Sequence, residues 1–324
     1  MNKEWSLDAL YKSFQDENFE QDFQKLKDLI NEFKKHVSTL DEANPEKEVK
    51  TLINYLEDIN LTARKLGSYI FLRQSTNTTD SETTALMQKL EELLSDISKE
   101  EAMVKKYVAS VENLDQIIEK DDKLKEYSFL FKEMKIEADH TLSDDVEEVI
   151  AKMNLSAGSA WSSMQQYLTS ILKVDYDGKE ITLPEVRNLA YNPDPKVRKA
   201  AYEAELASYE KINDAISFSL NNLKSQVNTL SSMRGYESAL DMTLEQSRMA
   251  KETLDAMFEA IKEYLPKFHA YLRRKAELLG HSNGLPWWDL FAPLGESHRK
   301  FTVEEAKEYL VSHFRPFSDD MADM

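Results

Sequence analysis

The sequence contains no cysteine. That excludes disulfides, thiolate catalysis and the cysteine-rich zinc sites, and it is compatible with a cytosolic origin. Glycine and proline are scarce, 7 and 8 in 324 residues, which leaves little punctuation for a many-stranded sheet. No G-x-S-x-G elbow, Walker loop or G-x-G-x-x-G fingerprint occurs, so serine hydrolases and nucleotide enzymes are poor fits. No segment approaches the about 18 consecutive apolar residues of a membrane span. The opening stretch, Met1-Asn-Lys-Glu-Trp-Ser6, has no apolar run of signal-peptide length. Basic residues are in the minority, 41 against 59 acidic, for a net charge of −18. Affinity for phosphates comes from clustered Lys and Arg, so nucleic acid is not an expected partner. Neither is a membrane. The expectation is a soluble, cytoplasmic protein.

What the chain has in quantity is helical periodicity. Hydrophobic content of 41% and charged content of 31% suit a globular protein with highly charged helix surfaces. Ser6 is placed to cap a short helix carrying Leu7, Leu10, Tyr11 and Phe14. Three long stripes follow: Phe19 to Val37, Val49 to Ile70, and Leu86 to Val111, the last read as one uninterrupted helix from Ser81. Shorter helical pieces occupy 116–137, 144–153 and 157–170. Apolar runs flanking Tyr176-Asp-Gly-Lys179 predict a hairpin near 171–182, because Asp-Gly suits a tight turn between strands. Thr182 and Glu185 make a helix-start pair, and Asp194 with Pro195 opens a very long helical pattern from Lys196 to Arg234. Gly235 stops it. A second long helix, 251–279, carries Leu254, Met257, Ile261, Leu265, Phe268, Leu272 and Leu279, with Pro266 expected to kink it. Thr302 and Glu305 form a capping box for the last helix. The fold class expected is all-α with one small hairpin, in three parts: a helical bundle over 1–112, a small helical lobe over 113–182 ending in the hairpin, and a further helical lobe over 183–324.

Candidate chemistry is sparse. The histidines are His36, His140, His269, His281, His298 and His313, and no two stand four apart. A helical H-E-x-x-H zinc site needs that spacing so that both imidazoles face one metal. The cluster Asp144, Asp145 and Glu147 after Ser143 reads as a helix start, where the dipole favours negative charge. The aromatic loop Gly284-Leu-Pro-Trp-Trp-Asp-Leu-Phe-Ala-Pro-Leu294 stands out. Trp287, Trp288 and Phe291 read either as a core plug between lobes or as the wall of a peptide-binding cleft, since aromatic side chains serve both roles.

The order of these elements matches one family. Arg198-Lys-Ala-Ala-Tyr202, the glycine-free stretch to Ser231-Ser-Met-Arg-Gly-Tyr236-Glu-Ser-Ala-Leu240, the helix ending Ala276-Glu-Leu-Leu-Gly280 and Trp288-Asp-Leu-Phe-Ala-Pro-Leu294 together resemble oligoendopeptidase F-type zinc metallopeptidases, within the thimet-like oligopeptidase superfamily. The likeness covers essentially the whole chain. It implies an α-helical, saddle-like fold enclosing a channel, cleavage of short peptides in the cytoplasm, and one zinc held by H-E-x-x-H and a later Glu. In that scheme a zinc-bound water attacks the peptide carbonyl with a Glu as general base. No catalytic or metal-binding residue can be carried over, because the motif does not occur in these residues. On this resemblance 183–324 is the first part of the catalytic lobe, truncated before the zinc motif. The chain is then expected to be inactive alone, to hold no zinc of its own and to self-associate through the face left by the missing half. A non-catalytic helical module that binds peptides or a partner is the alternative. A chain completed by a second one carrying the zinc half is a third reading.

Overall fold

The computed structural model describes residues 6–295 and 300–324. The opening reading over Met1–Trp5, and His298, lie outside the described residues. The helices run α1 Glu17–Val37, α2 Pro45–Thr76, α3 Ser81–Ser95, α4 Ser98–Ser110, α5 Leu114–Lys120, α6 Asp122–Glu126, α7 Ser128–Asp139, α8 Asp144–Ser156 and α9 Gly158–Ile171. Strands β1 Lys173–Tyr176 and β2 Lys179–Thr182 pair as a two-stranded sheet. Then come α10 Leu183–Asn188, α11 Pro195–Tyr209, α12 Asn213–Met233, α13 Ala239–Gln246, α14 Lys251–Leu278, α15 Val303–Phe314 and α16 Asp319–Asp323, with short 3-10 turns at Leu189–Tyr191 and Trp287–Asp289. The protein is all-α with one small hairpin, and no described helix is long and apolar enough to cross a membrane.

Local chemistry explains most of the element starts. Asp16 and Asp80 accept from the backbone N–H two residues on, capping α1 and α3. Thr182 and Thr302 form complete capping boxes with Glu185 and Glu305. Asp194 accepts from Lys196 N–H at 2.8 Å, and Pro195 takes the first helical position of α11. At the hairpin tip Asp177 and Gly178 have φ of 52° and 73°, the paired left-handed conformation that an Asp-Gly turn supplies.

Three expectations are corrected. The segment after Ser6 is a series of turns: Leu10 N–H and Tyr11 N–H both reach Leu7 O, one turn that does not propagate. Its Tyr11 and Phe14 are nevertheless buried. The pattern from Ser81 to Val111 is two helices, broken at Asp96 and Ile97. Lys34 of α1 donates to Asp96 O at 2.9 Å, satisfying a carbonyl that the break releases, while Ile97 turns into the core. The pattern from Lys196 to Arg234 likewise splits into α11 and α12 at 210–212, where Lys211 N–H bonds Ser208 O and Ile212 N–H bonds Tyr209 O. The helix expected over 251–279 is present as α14, with Pro266 inside it.

The chain divides into two compact units. One comprises Met1–Val174 and Ala207–Glu263, the other Asp175–Leu206 and Tyr264–Met324. In the first, one apolar core draws on α1 through α7, with Leu26, Phe33, Val49, Leu66, Ile70, Leu114 and Leu124 fully enclosed. Tyr11, Phe14, Phe19 and Tyr69 pack ring on ring at its edge, with centroids 5.1–5.8 Å apart. The apolar stripe of α14 is different. Met257, Phe258, Ile261, Tyr264, Leu265, Phe268 and Tyr271 are all 40–61% exposed.

Candidate functional site

The loop that follows α14 is placed by backbone geometry first. Gly280, with φ of 85°, ends α14: its N–H reaches Glu277 O, and His281 N–H reaches Ala276 O at 2.9 Å. The turn therefore delivers His281 to a defined position. There its Nε2 lies 2.6 Å from Asp289 Oδ2.

Asp289 is the hub of the loop. It is 1% exposed, and Arg198 from α11 is 3% exposed. Arg198 Nε and Nη2 approach Asp289 Oδ1 at 2.8 and 2.7 Å, a buried ion pair. Arg198 Nη1 donates to the carbonyls of Asn192 and Pro193 at 2.6 and 2.9 Å. Lys275, itself buried, donates from Nζ to Leu290 O at 2.7 Å. A buried charge is tolerated when it is paired and its remaining protons are bonded, and the contacts of Arg198 meet that condition.

The aromatic residues of the loop flank this hub. Trp287 is 70% exposed and Phe291 53%. Trp288 is partly buried, with its ring 5.8 Å from that of Tyr202 and the Lys199 ammonium 5.3 Å from its centroid. Phe291 leans on Tyr191 at 5.3 Å between centroids. These rings, together with Val186, Ala190, Ala201, Asn188, Arg187 and Glu205, line a pocket of about 380 Å³. Arg187 Nε donates to Glu205 Oε1 at 2.8 Å on its lining. All three aromatic residues singled out in the sequence thus stand on one pocket. Its other walls, Tyr191 and Tyr202, were not signalled by any local pattern. Nor was the hub: Arg198 and Asp289 both fall within segments that carry the family resemblance, yet nothing in their spacing links them.

Three of the other histidines, His36, His140 and His313, serve structural contacts. His36 pairs with the buried Glu48 at 2.8 Å. His140 Nδ1 lies 2.9 Å from Arg234 O, and its ring stacks on Tyr236 at 3.8 Å with 10° between planes. Tyr236 follows Gly235, whose φ of 76° ends α12 as Gly280 ends α14. The phenol of Tyr236 donates to Glu245 at 2.8 Å, and burial first, then this bond, pushes its pKa up. Arg234 in turn bonds Glu147 at 2.7 Å. The acidic cluster at the start of α8 is occupied the same way, Asp144 by Lys106 and Asp145 by Lys99. His313 stacks on Tyr309 within α15. Among the described residues no group of three His, Asp or Glu side chains could hold a metal ion. The described residues do not fit a zinc site.

Two family comparisons cover most of this architecture. Residues 109–173 match the family described as Oligopeptidase F, and residues 188–314 match Peptidase family M3. The chain belongs to the oligoendopeptidase F type of M3 peptidases. It is 25% identical to the oligopeptidase PepF of Bacillus subtilis over 98% of its own length and 48% of the relative's. It is 24% identical to an oligoendopeptidase F homolog of Lactococcus lactis, over 93% of this chain and 51% of that protein. This M3 chain spans about half the length of the curated relatives it matches and corresponds to an N-terminal part of such a peptidase. The crystal structure of oligoendopeptidase-F from Enterococcus faecium superposes with a TM-score of 0.74 at 16% identity, over 94% of this chain and 65% of that one. That likeness extends to the fold.

Proposed function

We propose that this chain forms the peptide-channel wall of a zinc-dependent oligoendopeptidase that hydrolyses short peptides, with the zinc site supplied by polypeptide outside these 324 residues. Family membership supports the reaction class. The observation that carries the reading is α14. Its apolar residues recur at helical spacing, yet seven of them stand 40–61% exposed. Soluble proteins seldom leave so large an apolar patch bare, so this face is built to be covered by further polypeptide. The alternative, a self-contained binding module, calls for a polar outer face on that helix. On our reading Trp287, Trp288 and Phe291 belong to the substrate wall, oligopeptides are the substrates and the cytoplasm is the place of action.

Zinc content and cleavage test this directly. Purified chain is expected to hold less than stoichiometric zinc and to leave a quenched fluorescent oligopeptide uncut. Light scattering is expected to report self-association through α14. One zinc per chain with chelator-sensitive cleavage would overturn the assignment of the zinc site to other polypeptide. A strictly monomeric, stable chain would favour the self-contained module instead.

A further inference from the structure

We infer that the pocket beside the Asp289 hub is a subsite for one apolar, preferably aromatic, side chain of a bound peptide. The inference rests on the peptide-binding role proposed above and assigns it a chemistry. Size is the first argument. At about 380 Å³ the pocket sits near the lower end of ligand sites, which run from roughly 300 to 1,000 Å³. It suits a side chain with adjoining backbone better than a large cofactor.

Charge is the second. Arg187 on the lining is paired with Glu205, and Arg198 is paired with Asp289 and two carbonyls. The lining therefore offers a charged ligand no strong uncompensated partner. A cationic side chain is disfavoured further, because the Lys199 ammonium already lies against Trp288. What the pocket does offer is aromatic surface: Trp287, Tyr191 and Phe291 are 70%, 61% and 53% exposed. Covering such surface with an apolar group is favourable by about 25 cal/mol per Å².

Preorganisation is the third. The 3-10 turn Trp287–Asp289 is fixed at its end by a carboxylate that meets both a guanidinium and an imidazole. A ligand entering a wall already held in place loses less to ordering.

The test uses the whole chain and blocked pentapeptides acetyl-Gly-Gly-Xaa-Gly-Gly-amide with Xaa as Phe, Leu, Ala, Lys or Glu, titrated by tryptophan fluorescence. The Phe peptide is expected to bind about tenfold more tightly than the Ala peptide, a difference of about 1.4 kcal/mol. Leu is expected between them, and Lys and Glu no tighter than Ala. Trp287→Ala and Phe291→Ala should each bring Phe towards the Ala level, while Trp287→Phe keeps most of the preference. Circular dichroism checks that the variants are folded. Equal binding of all five peptides, unmoved by the substitutions, overturns the subsite and leaves the peptide-binding role standing. No binding of any peptide overturns both. A preference for Lys would instead make the rings a cation site. Self-association that is lost in Trp287→Ala would make a second copy the occupant. Either result overturns the inference.

Discussion

Replacing Asp289 by alanine is expected to cost the protein about 3–5 kcal/mol of stability, the range seen when one partner of a buried ion pair is removed. The expectation follows from burial on both sides. Asp289 is 1% exposed and Arg198 3%, so the substitution leaves a buried guanidinium without the carboxylate it pairs with. His281 loses its partner in the same step. Chemical denaturation followed by tryptophan emission measures the loss, with Trp287 and Trp288 beside the substituted residue. The companion variant is the double replacement Arg198→Met with Asp289→Leu. Apolar residues of similar volume often replace a buried pair at little or no cost, so the double variant should recover much of what Asp289→Ala loses. If Asp289→Ala stayed within about 1 kcal/mol of the native chain, the ion pair could not be what anchors the loop.

A loss of comparable size is expected for Tyr69→Ala, by a different route. Tyr69 is 1% exposed towards the C-terminal end of α2 and touches the rings of Tyr11, Phe14 and Phe19. Removing a buried aromatic side chain leaves a cavity and costs about 3–5 kcal/mol, to which the lost ring pairs contribute. Tyr69→Phe keeps the ring and should cost less than about 1 kcal/mol, since only the hydroxyl is removed. Denaturant midpoints from far-ultraviolet circular dichroism check both. A midpoint for Tyr69→Ala equal to that of Tyr69→Phe would show that the ring cluster does not hold the segment 7–15 to α2.

Which of these features can be read from sequence depends on how local their cause is. The capping boxes at Thr182 and Thr302, the Asp194 cap and the Asp-Gly turn are each decided within a few residues, and all are present in the structure. The breaks at Asp96–Ile97 and at 210–212 contain no glycine or proline. At the first of them the balance is set by packing and by a lysine from a distant helix. Amphipathic spacing shows that α14 has an apolar face, but spacing is silent about what lies against it. The same division runs through the candidate site. Trp287, Trp288 and Phe291 stand together in one loop and draw attention at once. Arg198 and Asp289 are 91 residues apart, and an ordinary-looking arginine in a charged helix gives no sign that it will be buried. The order of elements carried more information than any single residue, since that order led to the oligoendopeptidase family.

The stacking of His140 on Tyr236 has a spectroscopic corollary. With ring planes 10° apart and centroids at 3.8 Å, the imidazole carbon-bound protons sit in the shielding cone of the phenol. Their resonances should appear upfield of the usual histidine region in a proton spectrum. His313 over Tyr309 is the other such stack among the described residues, but it lies within one exposed helix. Tyr236 is held at the turn after Gly235, so the His140 signal reads the junction between the α7–α8 loop and the end of α12. Its collapse to an ordinary shift in Tyr236→Leu would assign it. Thereafter a single line reports on that junction without any attached label.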